Sequence, residues 1–190
     1  MLSVLAGCGY YFPHVYTGPA RAIYMPTWKN QTNQLDLDTK LYRSLTLWFQ
    51  KSSSIEITKT KENADLILAG EIMSIDLPSL SYNVDARATS VKINLMVRFV
   101  LKDLKSGEIV WEEPGRLWTQ DYAIGSGGVI SVDNENRALE NIIEDMSEQI
   151  YIGSLSRLRR KALKKDEEAK KGQPAATPLP HTTSPAPAAR

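Results

Sequence analysis

The sequence has one cysteine, two histidines and no long apolar run, and each scarcity excludes a class of protein. A lone cysteine cannot form a disulfide within the chain. One histidine, His14, stands near the N-terminus and the other, His181, near the C-terminus, so the chain offers no Ser-His-Asp pair, no Cys-His pair and no zinc-ligand spacing. The absence of any run of about 18 apolar residues excludes a membrane-spanning helix.

Charge of one sign is not in excess either. The 23 Lys and Arg residues nearly balance 22 Asp and Glu, and the formal net charge of +1 indicates neither a nucleic-acid-binding protein nor a strongly acidic chaperone. The chain does have apolar material, since 42% of its 190 residues are hydrophobic, which is enough for one sizeable core. We therefore expect a single domain with an appendage and no nucleic-acid partner.

Three segments with residues typical of enzymatic sites lack the necessary spacing. Glu112 and Glu113 are adjacent, so on a strand they point to opposite faces. Asp36 and Asp38 flank a predicted helix start, where a cap is the simpler role. The glycine-rich segment 124–131 lacks the Gly-Lys-Ser/Thr ending and the βαβ context of a phosphate-binding loop. We expect no enzymatic activity, no cofactor and no metal site.

The neighbourhood of the cysteine indicates covalent modification. Leu5-Ala6-Gly7-Cys8 resembles the lipobox of bacterial lipoproteins, in which small residues let a signal peptidase cut just before a cysteine that carries diacylglycerol. The alternative, that Cys8 is a small buried hydrophobe, describes most single cysteines. Residues 1–7 are too short for a full signal sequence and lack its positive region, so we expect them to be the remnant of one.

A lipidated Cys8 would attach the protein to a membrane. Each acyl chain contributes about 0.8 kcal/mol per buried methylene, and two chains anchor a protein stably. In lipoprotein sorting, Asp after the cysteine retains a protein in the inner membrane, whereas here Gly9 follows. We therefore expect a lipid anchor in the outer membrane, on its periplasmic face.

The C-terminal end differs in composition from the rest of the chain. Residues 164–190 hold five of the ten prolines and no aromatic residue, so they cannot bury enough apolar surface to offset the entropy of ordering. We expect a disordered Ala/Pro-rich tail that begins as a frayed extension of the preceding helix. The Lys164-Lys165 and Lys170-Lys171 pairs are interpreted as a solvated surface rather than a lipid-head-group site.

Apolar periodicity predicts two helices, one over 37–51 capped by Asp36 or Asp38 and one that follows Asp133 as its cap. The strand that starts at Ala64 is apolar on both faces in its first half, so it is expected to be central in the sheet. Residues 103–107 should join two strands as a hairpin. Strand patterns occur over 21–27, 55–59, 64–77, 91–101 and 108–113, and, beyond Pro114-Gly115, over 116–122. Across 91–101 the odd-numbered residues are apolar and most even-numbered ones are polar, which predicts one buried face. The apolar stripe of the first helix, expected to face the core, is Leu37, Leu41, Leu45, Trp48 and Phe49.

This order of elements is typical of an α+β two-layer sandwich. We expect a mostly antiparallel sheet of four or five strands with two helices packed on one face. The chain then divides into a signal-peptide remnant over 1–7, a lipidated linker over 8–20, a single α+β domain over 21–163 and the tail over 164–190.

Four short motifs occur in order, and the likeness to which they belong spans roughly residues 8–160. They are Cys8 to Phe12, Ile23 to Pro26 with Asn30 and Thr32 after it, "ADLILAG" at 64–70 and "SGEIVW" at 106–111. Their order and spacing resemble the lipopolysaccharide-assembly lipoproteins of the LptE family. The resemblance implies a non-enzymatic protein that sits inside the outer-membrane β-barrel LptD, helps it fold and binds lipopolysaccharide.

Lipopolysaccharide carries phosphates and carboxylates, which require fixed cations. Arg87 and Lys92 lie at or near a predicted connection between two strands and are the candidates, because Arg can bind a phosphate bidentately and Lys supplies a point charge. The alternative is that both are solvated surface residues. Arg98 and Lys102, on the polar face of the next strand, are better suited to the barrel wall.

Two other functions fit the same pattern. A different periplasmic lipoprotein of similar architecture, such as an activator of peptidoglycan synthases, would associate with a penicillin-binding protein instead of a barrel. A lipid-anchored hydrolase using Asp and Glu would turn over cell-wall fragments.

Overall fold

The computed structural model describes residues 18–82, 88–123 and 132–171, without the side chains of 77–82, 88–89 and 170–171. Six strands form one sheet and two α-helices pack on one of its faces, so the predicted α+β class is confirmed. The elements are β1 Arg21–Tyr24, β2 Lys29–Asn30, α1 Leu37–Gln50, β3 Ile55–Thr58, β4 Leu66–Tyr82, β5 Ala88–Asp103, β6 Ile109–Ala123 and α2 Val132–Lys171.

The sheet is mixed rather than purely antiparallel, and its strand order is β3-β1-β4-β5-β6 with β2 beside β4. The long pairings, β4 with β5 and β5 with β6, are antiparallel as predicted. By contrast, β1 pairs in parallel with both β3 and β4. The pairing of β1 with β3 is parallel because α1 carries the chain back to the end of the sheet where β1 begins. The sheet exceeds the four or five predicted strands because Lys29 and Asn30, assigned to a loop, pair with β4.

Burial follows the predicted alternation. β4 is central, and on β5 every second residue faces the helices and is at most 3% exposed, namely Val91, Ile93, Leu95, Val97, Phe99 and Leu101. The two helices lie side by side, with Phe49 of α1 meeting Tyr151 of α2 edge to face at a ring-centroid distance of 5.4 Å. Both predicted apolar helix stripes therefore belong to one core.

The Pro114-Gly115 pair does not separate two strands, which corrects the predicted break. β6 runs through it, and the register shifts so that both residues lie opposite a single residue of β5. Proline lacks a backbone N–H and is tolerated at such a bulge. Trp111 and Trp118, seven positions apart, would face opposite sides of a regular strand. The extra residue turns both toward the helices, where they are 6% and 7% exposed.

The helix ends differ slightly from the prediction. Asp36 does precede α1, although its side chain makes no capping hydrogen bond. Asp133 lies within the first turn of α2 rather than before it. At its other end α2 continues through 164–171, past the predicted domain boundary at 163, and residues 172–190 lie outside the described residues. With 40 residues at about 1.5 Å each, α2 is about 60 Å long.

Candidate functional site

The sheet face that points away from α1 and α2, here called the open face, is covered by no element that the structure describes. By strand alternation it carries even-numbered residues of β5, among which Lys92, Arg98 and Lys102 are exposed. Apolar side chains lie between these charges, and one of them, Leu117, is 52% exposed. The open face thus combines exposed cations with exposed apolar surface, which is typical of a surface that contacts a partner. Its half-buried or exposed apolar residues include Tyr24, Ile67, Ala69, Met96, Val100, Ile109 and Leu117.

A charged cluster occupies the centre of the open face. Glu71 of β4 is 8% exposed and lies directly across from Arg98, whose Nε donates to the carboxylate over 2.6 Å. Lys29 Nζ lies 3.4 Å from the same carboxylate, and the Gln31 amide donates to it. Burial alone would raise the pKa of Glu71, but Arg98 and Lys29 outweigh it and hold that pKa below its ordinary value. Arg98 is therefore a positioned cation whose side chain remains 53% exposed.

The lipopolysaccharide-binding candidates are only partly visible. Lys92 lies on the open face, with Nζ 3.8 Å from Oδ1 of Asp121 on β6. Lys102 stands ten residues further along the same strand and the same face. Arg87 and the lipidation candidate Cys8 lie outside the described residues, as does the glycine-rich segment 124–131. The structure thus aligns Lys92, Arg98 and Lys102 in one row and does not test the pairing of Lys92 with Arg87.

The two ends of the domain differ. At the end called basal here, β1 and β4 start, β5 ends and α2 ends. At the opposite, distal end, β4 and β6 end and β5 starts. The 16 residues of β5 separate these ends by about 50 Å at about 3.3 Å per residue.

A groove of about 1170 Å³ lies at the basal end between the β5–β6 turn, the start of β1 and the last turns of α2. Its centre is Asp103, which is 3% exposed. Oδ2 of Asp103 accepts hydrogen bonds from Arg21 Nη1 over 3.2 Å and from Lys161 Nζ over 3.0 Å. Beside it, Lys161 also lies 2.8 Å from Glu108, and Lys105 pairs with Asp65. These ion pairs tie α2 to the sheet.

The ion pairs hold the groove carboxylates in their charged form. Burial would raise the pKa of Asp103, but the backbone amide of Ser106, the ammonium of Lys161 and the guanidinium of Arg21 lower it well below its ordinary value. A hydrogen bond from Lys105 lowers the pKa of Asp65. The groove was not predictable from the sequence, since its charges come from four distant segments. The only local signal was the "DLKSG" turn, where Asp103 Oδ1 accepts from two backbone amides of the turn.

The features expected of a catalytic or spanning protein do not assemble in the part of the chain that the structure describes. Glu112 lies on the open face, whereas Glu113 faces the helices and accepts a hydrogen bond from Trp111 Nε1 over 2.9 Å. Within 18–82, 88–123 and 132–171, no three metal-ligating side chains converge. Neither α1 nor α2 is apolar enough over a sufficient length to cross a bilayer.

Comparison with known proteins adds a family match. The model of the LptE family, described as lipopolysaccharide-assembly, matches residues 20–152. No curated protein matches the chain. A solved structure of a Xanthomonas campestris protein is 10% identical with a TM-score of 0.53, and the alignment covers 76% of this chain and 91% of that one. At this identity the likeness supports the fold alone.

A second solved structure, a minor lipoprotein from Acinetobacter baumannii, is 15% identical with a TM-score of 0.43. That alignment covers 72% of this chain and 93% of the other, but it is too distant to carry an argument.

The family match extends over well more than half of the 190 residues and contains three of the four motifs noted in the sequence. LptE proteins are non-enzymatic lipoproteins of the outer membrane. The chain belongs to the LptE family of lipopolysaccharide-assembly lipoproteins.

Proposed function

We propose that this protein is anchored to the outer membrane through Cys8, fills the lumen of the LptD β-barrel and assists the transport of lipopolysaccharide to the cell surface. Beside the family match, the proposal rests on the open face, where the exposed cations Lys92, Arg98 and Lys102 lie among apolar side chains. The lumen of a transmembrane barrel is polar, so a surface of mixed charge and small apolar patches suits it.

Aromatic residues are enriched at protein interfaces, but in this domain the open face is a better candidate for the barrel contact than the tryptophans are. Trp28, Trp111 and Trp118 are 3%, 6% and 7% exposed, so they belong to the core and have little surface left for a partner. On the open face, Leu117 and the cations Arg98 and Lys102 are accessible on one broad sheet surface. We therefore assign the barrel wall to the open face and the helices to the opposite side.

The length of the domain also suits this role. Its long strands extend about 50 Å, which exceeds the hydrocarbon thickness of a bilayer at about 30 Å. The basal end contains Gly18, ten residues after Cys8, and ten extended residues span at most about 35 Å. An anchor at Cys8 would therefore keep the basal end near the periplasmic leaflet while the distal end reaches toward the outer leaflet.

Barrel association is tested by purification from solubilised outer membranes with mass spectrometry. The parent should bring down LptD, and Leu117→Asp should reduce its recovery at least about tenfold, because a buried carboxylate without a partner costs more than about 1.4 kcal/mol. The matched control is Leu47→Asp on α1, since Leu47 is equally exposed at 52% but lies on the helical side.

Equal losses in the two variants would contradict the assignment of the open face. Recovery of a penicillin-binding protein without a barrel would instead support an activator of peptidoglycan synthases. Both substitutions are at exposed sites, so neither should change the melting temperature much. Thermal unfolding of each purified variant then excludes a loss of fold as the cause of reduced recovery.

Lipopolysaccharide binding is tested at Arg87 and Lys92. The double substitution Arg87→Asp with Lys92→Asp should weaken lipopolysaccharide binding by the purified protein about tenfold at low ionic strength, where charged contacts are least screened. A control with the same change of charge, Lys59→Asp with Lys61→Asp, alters two exposed cations elsewhere and should bind like the parent. If the Arg87/Lys92 variant also binds like the parent, the site lies elsewhere.

A further inference from the structure

The last turns of α2 carry a continuous row of cations along one side. Residues three and four apart share a face of a helix, and this spacing relates all five members of the row, here called the basic stripe. The stripe lines the basal groove, so it lies beside the start of β1 and the β5–β6 turn. Its members are Arg157, Arg160, Lys161, Lys164 and Lys165.

The acidic residues of the groove do not neutralise the whole stripe. Seven cations and five carboxylates line the groove. Asp103 and Glu108 are paired with Lys161, and Asp65 is paired with Lys105, while the other two carboxylates, Asp166 and Glu168, lie on α2 itself. In contrast, no ion pair joins Arg160, Lys164 or Lys165 to a carboxylate within the described part of the chain. These three side chains are also exposed. The groove therefore has an excess of positive charge that is exposed at the basal end.

The inner end of the stripe is a positioned arginine. The guanidinium of Arg157 stacks 3.8 Å above the Trp111 ring, and its Nη1 donates to the Gly153 carbonyl over 3.2 Å. Burial and the positive charge of Arg160 lower the pKa of Arg157 below its ordinary value, a shift that Glu113 opposes and Arg116 adds to. Positive charge thus accumulates here, and an external anion would relieve the repulsion.

The stripe lies at the end of the domain where the N-terminal linker arrives. Pro19 and Ala20 line the same groove, and Cys8 is ten residues before Gly18. An acylated Cys8 would keep the groove at most about 35 Å from the bilayer, and this tether lets the stripe approach to within the Debye length of about 8 Å over which the surface potential of anionic lipids attracts cations. The lysine pair 164–165 is interpreted from the sequence as solvated surface. In the structure it lines the same groove as Arg157 and Arg160.

We propose that the basic stripe contacts the phosphate head groups of an anionic phospholipid bilayer and holds the basal end of the anchored domain at the level of the periplasmic leaflet. This inference rests on the proposed lipid anchor at Cys8 for its cellular setting. The occupant is a bilayer surface because the unpaired cations are exposed point charges along an open groove rather than a closed pocket. Anionic head groups attract such clusters and bind them in a salt-dependent way.

The experiment uses the full chain with Cys8→Ser, so that no acyl group contributes, and measures co-sedimentation with phosphatidylcholine vesicles with and without phosphatidylglycerol. The protein should bind the anionic vesicles at low salt, bind the neutral ones poorly and dissociate at about 1 M salt. Arg160→Glu with Lys164→Glu should weaken binding about 30-fold, which corresponds to about 2 kcal/mol.

The matched control is Arg43→Glu with Arg137→Glu, which makes a similar change of charge at two exposed helical positions outside the basal groove. It should bind anionic vesicles like the parent. Equal weakening in both variants would overturn the proposal, because net charge alone would then explain the binding. Failure of the parent to bind, or binding to lipopolysaccharide micelles but not to phosphatidylglycerol, would also overturn it.

A separate readout keeps this inference distinct from the proposed function. The Arg160/Lys164 variant should still recover LptD from solubilised membranes, since its substitutions are not on the open face. Vesicle binding that is lost while LptD recovery persists supports the stripe as a membrane contact. Lost LptD recovery with retained vesicle binding would contradict the assignment of the barrel contact and the membrane contact to separate surfaces.

Discussion

Replacing Asp103 by alanine should destabilise the protein by about 3 kcal/mol, because it removes the buried carboxylate that pairs with Arg21 and leaves Lys161 with Glu108 alone. Asp103 accepts hydrogen bonds from Arg21 and Lys161 and from two backbone amides of the β5–β6 turn. The expected cost is at the lower end for a broken buried ion pair, since the Arg21 and Lys161 side chains are 24% and 28% exposed and keep some hydration. Urea unfolding measures it.

Two further variants separate the contributions. Asp103→Asn removes the charge but keeps an oxygen that can accept from the turn amides, so its loss should be smaller than that of alanine. Asp121→Ala removes a carboxylate from an exposed ion pair, with the Asp121 side chain 63% exposed, and should change stability by less than about 0.5 kcal/mol. If Asp103→Ala were as mild as Asp121→Ala, the groove ion pairs would not stabilise the fold.

The same carboxylate makes stability depend on pH. The pKa of Asp103 is lower in the folded chain than its ordinary value of 3.8, so on acidification the unfolded state takes up the proton first. Its contribution is complete above that value and is lost as the pH falls below it. The difference in unfolding free energy between the parent and Asp103→Asn should therefore shrink below about pH 4. A difference that stays constant down to pH 2.5 would refute this.

Cys8→Ser should abolish lipid modification and the cleavage before residue 8, the largest functional effect that we expect of one substitution. Expressed behind a complete lipoprotein leader, the parent should be cleaved before Cys8 and labelled by fatty acid, whereas the variant should remain an unlabelled precursor. Two or more acyl chains contribute about 0.8 kcal/mol per buried methylene, a total that far exceeds the roughly 1 kcal/mol expected of each cation of the basic stripe. Gel mobility and acyl labelling measure both steps.

The control for Cys8 changes its neighbour. Gly9→Asp leaves the cysteine in place, so cleavage and labelling should persist, while the resemblance to sorted lipoproteins implies retention in the inner membrane. Separation of inner and outer membranes on a density gradient distinguishes the two locations. Unchanged size and labelling of Cys8→Ser would end the lipoprotein hypothesis for this residue.

Several features of this protein were predictable from local pattern. The alternation on β5 predicted which residues are buried, and the Leu41, Leu45 and Phe49 spacing predicted the core face of α1. The "DLKSG" turn predicted the β5–β6 hairpin, whose Gly107 has a φ of 73°. These predictions hold because side-chain periodicity and turn chemistry depend on residues close in the chain. The four motifs that resemble LptE proteins were likewise visible in the sequence.

Other features required the tertiary structure. The parallel pairing of β1 with β3 depends on the end of the sheet to which α1 carries the chain. The four residues of β1 do not by themselves indicate that direction. The bulge at Pro114-Gly115 became visible only through the register of β6 against β5, and that register decides that Trp111 and Trp118 are core rather than interface.

The sequence by itself determined the class of the fold, the family resemblance and the cysteine on which the anchor is proposed. Only the tertiary structure decided which charges act together. Asp103 meets Arg21 across 82 positions of the chain and Lys161 across 58, and the basic stripe faces a groove built from both ends of the described chain. The physical reason is that local periodicity shows which face a residue occupies, whereas ion pairs and grooves depend on which distant faces the fold brings within a few ångströms.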